Sequence, residues 1–108
     1  MKKLKYLFLL LSLVPSAIFG QIFTNGDGSQ ANPYSGTLLA SSTLSGTVYI
    51  NGDIIIDSYK LTISPGTTIM FDVSLIFPSI YVSSTGAIDA QGTAGNVITF
   101  TSAAGAAD

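Results

Sequence analysis

The sequence predicts an all-β fold of stacked coils, and three observations carry that prediction. Leu61-Thr-Ile63-Ser-Pro-Gly-Thr-Thr-Ile69-Met-Phe71 and Ile80-Tyr-Val82-Ser-Ser-Thr-Gly-Ala-Ile88-Asp-Ala90 share one pattern, two alternating apolar pairs parted by five small, turn-prone residues. The second copy begins 19 positions after the first (61→80), and 69→88 repeats that step. A near-constant period made of short alternating segments and Gly/Ser/Thr/Pro corners is the mark of strands laid layer on layer. Finally, only 9% of the 108 residues are charged, against roughly 25% in ordinary domains. Ser, Thr, Gly and Asn stand in their place, and these favour turns and solvated β surfaces over helices.

Residues 1–20 have the three parts of a secretory leader. Lys2, Lys3 and Lys5 supply the positive start, and an apolar run from Tyr6 to Val14 follows. Pro15 and Ser16 break the helix, and cleavage is expected near Gly20. A membrane-spanning helix needs about 20 apolar residues, more than this run offers. The chain is therefore expected to be secreted or held at the cell surface, with no membrane span once the leader is removed. Beyond the leader, Lys60 faces six aspartates, a formal side-chain charge of −5. Such a surface repels phosphate backbones, so nucleic acid is excluded as a partner. The chain contains no cysteine, which excludes disulfide staples and thiolate metal sites.

Residues 21–45 are expected to form an irregular N-terminal cap with one short strand. Thr24-Asn-Gly-Asp-Gly-Ser29 and Asn32-Pro-Tyr34 are its turn signals. Residues 46–108 are expected to begin the coils. Thr47-Val-Tyr-Ile50 and Ile54-Ile-Ile56 are β-rich, and Asn51-Gly-Asp53 between them predicts a tight turn, in a coil or in a plain hairpin. From Leu61 onward the inward positions are Leu61 and Ile63, Ile69 and Phe71, Ile80 and Val82, Ile88 and Ala90, then Ile98 and Phe100. A constant step of 19 would lay Leu61 and Ile63 beneath Ile80 and Val82, with Ser64, Ser83 and Thr101 stacked at one corner. A small antiparallel β-sandwich, pairing neighbours as hairpins, is the alternative. Stacked coils need about three repeats and capped ends. Residues 46–108 supply two to three coils, and Ala103-Ala-Gly-Ala-Ala-Asp108 is no polar cap, so the sequence is expected to continue as a longer stack.

Several runs resemble the opening coils of exported right-handed parallel β-helix proteins of the pectate-lyase-like group. These are Leu61-Thr-Ile-Ser-Pro-Gly-Thr67, Gly86-Ala-Ile-Asp-Ala-Gln-Gly-Thr93 and Asn96-Val-Ile-Thr-Phe-Thr-Ser102. The resemblance covers about residues 46–102. It implies the right-handed coil, an N-terminal cap with the first two to three coils. It also implies a role drawn from a mixed set of lyases, hydrolases, adhesins and stalks. In the lyase branch, catalysis resembles Ca²⁺-assisted proton abstraction by a basic residue, usually Arg, beside an Asp cluster. This chain contains no Arg and, after the leader, only Lys60 as a cation. No catalytic residue and no cofactor is assigned on that basis.

The candidate chemistry is sparse. Asp27, in a Gly-rich loop, is the one candidate metal ligand, for Ca²⁺, but the remainder of a calcium loop is missing and a turn accounts for the same residues. Asp53 and Asp57 form a carboxylate pair of the kind sugar cleavage uses, with Asp53 in a turn and Asp57 at a corner. Asp72 sits at another corner, and Asp89 should face solvent between inward Ile88 and Ala90. Thr47, Tyr49, Tyr59 and Tyr81 offer an outward sugar-stacking face, although tyrosine is also ordinary strand filling. The function expected from these residues is a non-catalytic scaffold or adhesin at the cell surface, with polysaccharide or other surface molecules as partners. The alternative is the opening part of a polysaccharide-degrading enzyme whose active site lies beyond residue 108.

Overall fold

In the computed structural model, residues 21–103 are described; residues 1–20, where the leader is expected, and residues 104–108 lie outside them. The described residues form nine strands and no helix. They are β1 (Phe23–Asn25), β2 (Tyr34–Leu38), β3 (Ser42–Leu44), β4 (Thr47–Ile56), β5 (Lys60–Ile63), β6 (Thr68–Phe71), β7 (Ile80–Val82), β8 (Ala87–Ala90) and β9 (Thr99–Ser102). The fold is all-β.

The strands make two sheets. One runs β1-β2-β4-β6-β9, with β7 also paired to β4, and the other runs β3-β5-β8. Every strand pair is parallel except β1 with β2. A sandwich of hairpins would need the opposite, neighbours joined antiparallel. Side chains alternate across each strand, and the inner sets meet in one core. Val48, Ile50, Ile54, Ile56, Leu61, Ile63 and Ile69 are buried there with Phe23, Tyr34, Leu38 and Leu44.

The expected turn at Asn51-Gly-Asp53 is corrected. These residues lie inside β4, a single ten-residue strand. Two partners override the local turn preference. Thr47–Ile50 pairs with β6, and Ile54–Ile56 pairs with β7. The alternation never loses phase, since Val48, Ile50, Ile54 and Ile56 all face inward. The irregularity stays within β4, where Asn51, Gly52 and Asp53 lie opposite Ser35 alone, and two extra residues leave the phase unchanged.

The constant 19-residue register is corrected as well. Leu61 pairs with Ile88 and Ile63 with Ala90, a step of 27 (61→88), while Ser42 to Leu61 is the step of 19. Ile80 and Val82 lie instead over Ile54 and Ile56. The extra residues form the connection 72–79, which carries Pro78 and no strand. The expected Ser64, Ser83 and Thr101 stack does not form. Ser64 donates its amide to Leu44 O, Ser83 Oγ donates to Asp57 O, and Thr101 pairs with Met70.

Burial follows the layers. Leu61, Ile63 and Ile69 are buried as expected, and Phe71, Ile80 and Ile98 are half-buried. Val82, Ile88, Ala90 and Phe100 keep the inward phase but are exposed. They sit on β7, β8 and β9, each paired on one side only.

Residues 21–45, expected to hold one short strand, hold β1, β2 and β3. β1 closes its end of the larger sheet. Phe23 and Leu38 are fully buried beneath it, and Leu39 donates its amide to Ile22 O.

Candidate functional site

Each candidate side chain can now be placed. Asp27 caps its own turn. Its carboxylate accepts the Ser29 amide at 3.0 Å, while the Asp27 and Gly28 amides both donate to Asn32 O. The Ser29 hydroxyl, and then its amide, hold the carboxyl below its ordinary value of 3.8. Gly26 makes this turn possible. Its φ is +88°, and a Cβ there would lie 1.9 Å from Pro33 O. A cleft of about 230 Å³ runs beside the turn, with Tyr34, Thr43 and Thr47 on its walls. Burial, and then the nearby Asp27 charge, pushes the Tyr34 hydroxyl above its ordinary 10.0.

Asp53 leaves its predicted turn for the middle of β4, where its carboxylate accepts the Ser79 amide at 3.0 Å. That bond ties the end of the 72–79 connection to the strand. The Asp57 side chain is exposed, and its backbone carbonyl accepts both Ser83 Oγ, at 2.7 Å, and Thr85 Oγ1. Asp72 repeats the device seen at Asp27. Its carboxylate accepts the Ser74 hydroxyl at 2.7 Å and amide at 3.0 Å, and both lower its pKa, the hydroxyl more. Asp89 faces outward from β8, 3.8 Å from Lys60 on the neighbouring strand, and accepts Gln91 Nε2 at 2.8 Å.

No group of three or more metal-ligating side chains occurs among the described residues. The carboxylates of Asp27, Asp53, Asp72 and Asp89 are engaged one at a time, each by its own turn or a neighbouring segment, and that of Asp57 is exposed. Proton abstraction or sugar cleavage needs such groups to converge on one substrate atom, and the bonds of Asp27, Asp53, Asp72 and Asp89 go to four different partners, Ser29, Ser79, Ser74 and Gln91.

The tyrosines do not form one platform. Tyr49 neighbours Met70 across the sheet, and Tyr81 neighbours Ile55. These places are six positions apart along β4, about 20 Å at strand rise. Tyr59 lies before β5, and its carbonyl accepts the Ala87 amide.

Two features escape a reading of the sequence. Thr67 is a fully buried polar residue, and its hydroxyl donates to Ser64 O at 2.7 Å and to Leu44 O at 3.4 Å. It locks the Pro65-Gly66 corner against the layer below. The only signal for it is a Thr three residues after Ser64, a pattern shared by many solvated turns. The second is an apolar cleft of about 350 Å³ between Phe71, Val73, Phe77, Pro78 and Phe100. It depends on β6 pairing with β9, a contact between residues far apart in the sequence.

No protein-family model matches the chain, and the searches of curated proteins and solved structures return no match.

Proposed function

We propose that this chain is a non-catalytic, exported segment of a right-handed parallel β-helix that serves as a scaffold or adhesin at the cell surface. The observation that carries this reading is how the carboxylates are used. Asp27 and Asp72 brace their own turns, Asp53 holds the 72–79 connection, and Asp89 pairs across to Lys60. These four carboxylates serve the fold they sit in. The parallel layers β2-β4-β6-β9 and β3-β5-β8 support the coil, and the Lys-rich start with its apolar run supports export. Polysaccharides or other surface molecules are the partner class.

Labelling of intact cells tests the reading. Lys60 is 56% exposed at its side chain and is the only lysine outside the leader. A membrane-impermeant amine reagent should modify it on whole cells, and the purified chain should leave a polysaccharide panel uncleaved. A chain protected from the reagent until the cells are lysed overturns the surface location. Cleavage that Asp53→Asn or Asp57→Asn abolishes overturns the non-catalytic role.

A further inference from the structure

The cleft of about 230 Å³ beside the 26–33 turn holds a polar group that the fold does not use. Its walls come from residues 22–28, Tyr34 and residues 43–48, and β1 with its turn already caps this end of the sheet. Tyr34 is 6% exposed. A tyrosine this deep in a core normally finds a protein partner for its hydroxyl. Here the hydroxyl makes no hydrogen bond to the protein. No fully buried side-chain oxygen among the described residues lacks a partner, so this hydroxyl is reached from outside, where Tyr34 lines the cleft. Gly28 fits the turn to the ring. Its φ is +83°, and a Cβ there would lie 2.5 Å from Tyr34 Cε2.

The groups around this hydroxyl set the class of ligand. Asp27 gives one carboxylate oxygen to the Ser29 amide, and its other oxygen has no protein partner. The Asp27 charge reaches Tyr34. Thr43, Ser45 and Thr47 stand along the cleft, and their hydroxyls make no hydrogen bond to the protein. Leu44 and Val48 add apolar wall. No described lysine lines the cleft, so an anion would meet Asp27 with nothing to offset it. Ca²⁺ takes about six to eight oxygens, carboxylates and carbonyls above all, and only one carboxylate is present. Hydroxyls both donate and accept, so four of them suit a ligand that does the same. A ligand with C–H faces suits the apolar wall. Both descriptions meet in a sugar ring. The volume lies below the roughly 300–1,000 Å³ of drug-sized sites, which limits the occupant to about one ring.

We propose that this cleft binds one neutral sugar ring of a glycan, with the Asp27 carboxylate accepting from ring hydroxyls and the Tyr34 hydroxyl bonding beside it. Asp27 is the only acid in the lining. Glycoside hydrolysis uses a pair of carboxyl groups, so the sugar is held and not cleaved. The site gives a place to the carbohydrate partner class proposed above and rests on that class, not on the surface location. Labelling of Lys60 and binding of sugar can therefore fail separately.

Titration of the exported chain with methyl glycosides of the neutral hexoses and N-acetylhexosamines, followed by amide NMR, tests the proposal. At least one glycoside should bind with a millimolar Kd and move the amides of residues 27–29 and 43–48. Tyr34→Phe removes a single oxygen and should weaken binding by roughly fivefold, with the far-ultraviolet circular dichroism unchanged. Asp27→Asn keeps an oxygen for the Ser29 amide and should weaken binding by about tenfold. Asp72→Asn, on the same turn device at Ser74, should leave binding unchanged. Failure of every glycoside to bind overturns the proposal. So does binding that Tyr34→Phe leaves intact, or equal weakening by Asp72→Asn. Calcium chloride that moves the same amides while the glycosides do not would assign a cation site and overturn it too.

Discussion

Phe23 meets Tyr34 edge-on, with ring centroids 4.8 Å apart and planes at 62°. The pair joins β1 to the first residue of β2 and so seals the closed end of the core. Phe23 is fully buried, and truncating such a ring costs about 3–5 kcal/mol. Phe23→Ala should therefore lower the urea midpoint by most of the stability of a small domain. Phe100→Ala, on a ring that is 45% exposed, should cost less than half as much.

Gly86 is required by a close approach. A Cβ at this position would lie 2.2 Å from the Ile56 carbonyl oxygen and 3.1 Å from Ile56 Cγ2. Backbone must move to admit it, and overpacking of this kind costs about 1–3 kcal/mol. Gly86→Ala should show that loss in thermal unfolding. Gly95→Ala, where a Cβ would meet nothing within 4 Å, should stay close to wild type.

Lys60 and Asp89 form a cross-strand ion pair with side chains 56% and 32% exposed. Solvent screens such a pair, and its worth is below about 1 kcal/mol. A double-mutant cycle with Lys60→Met and Asp89→Asn should return a coupling in that range, and the coupling should shrink in high salt.

Acid should weaken the fold through Asp27 and Asp72. Both carboxyls are held below 3.8 in the folded chain by Ser29 and Ser74. The unfolded chain therefore takes up these protons first as the pH falls. The stabilisation is complete above the ordinary carboxyl value and is lost as the pH drops through the lower folded values. Urea midpoints should be flat near neutrality and decline below about pH 4, and Asp27→Asn with Asp72→Asn should flatten that decline. At the alkaline end, the raised Tyr34 value predicts falling stability above about pH 10, an effect that Tyr34→Phe should remove.

The phase of the strands was legible and their partners were not. Alternation alone predicts that Leu61, Ile63 and Ile69 face inward, and they are buried. Which segment lies over Leu61 depends on how much chain the intervening corners consume. The connection 72–79 uses eight residues outside any strand, so two look-alike segments 19 apart fall on different sheets. Asn51-Gly-Asp53 misleads for a related reason. Its turn preference is local, whereas β6 and β7 act on β4 from residues far along the chain. The candidate acids were legible as turn residues at Asp27 and Asp72, where neighbours two positions on supply the bonds. The ties from Asp53 to Ser79 and from Lys60 to Asp89 span 26 and 29 positions, beyond the reach of a local pattern.

The parallel layering sets an order of assembly. β4 lies on β2, β5 on β3, β6 and β7 on β4, β8 on β5, and β9 on β6. Each of these strands thus finds its template among residues already synthesised, and the widest such gap is the 31 positions from Thr68 to Thr99. Loop closure over that distance costs little more than over half of it. Folding can therefore keep pace with a chain emerging from a ribosome or a translocation pore, each new rung docking as it arrives, with no wait for a distant terminus.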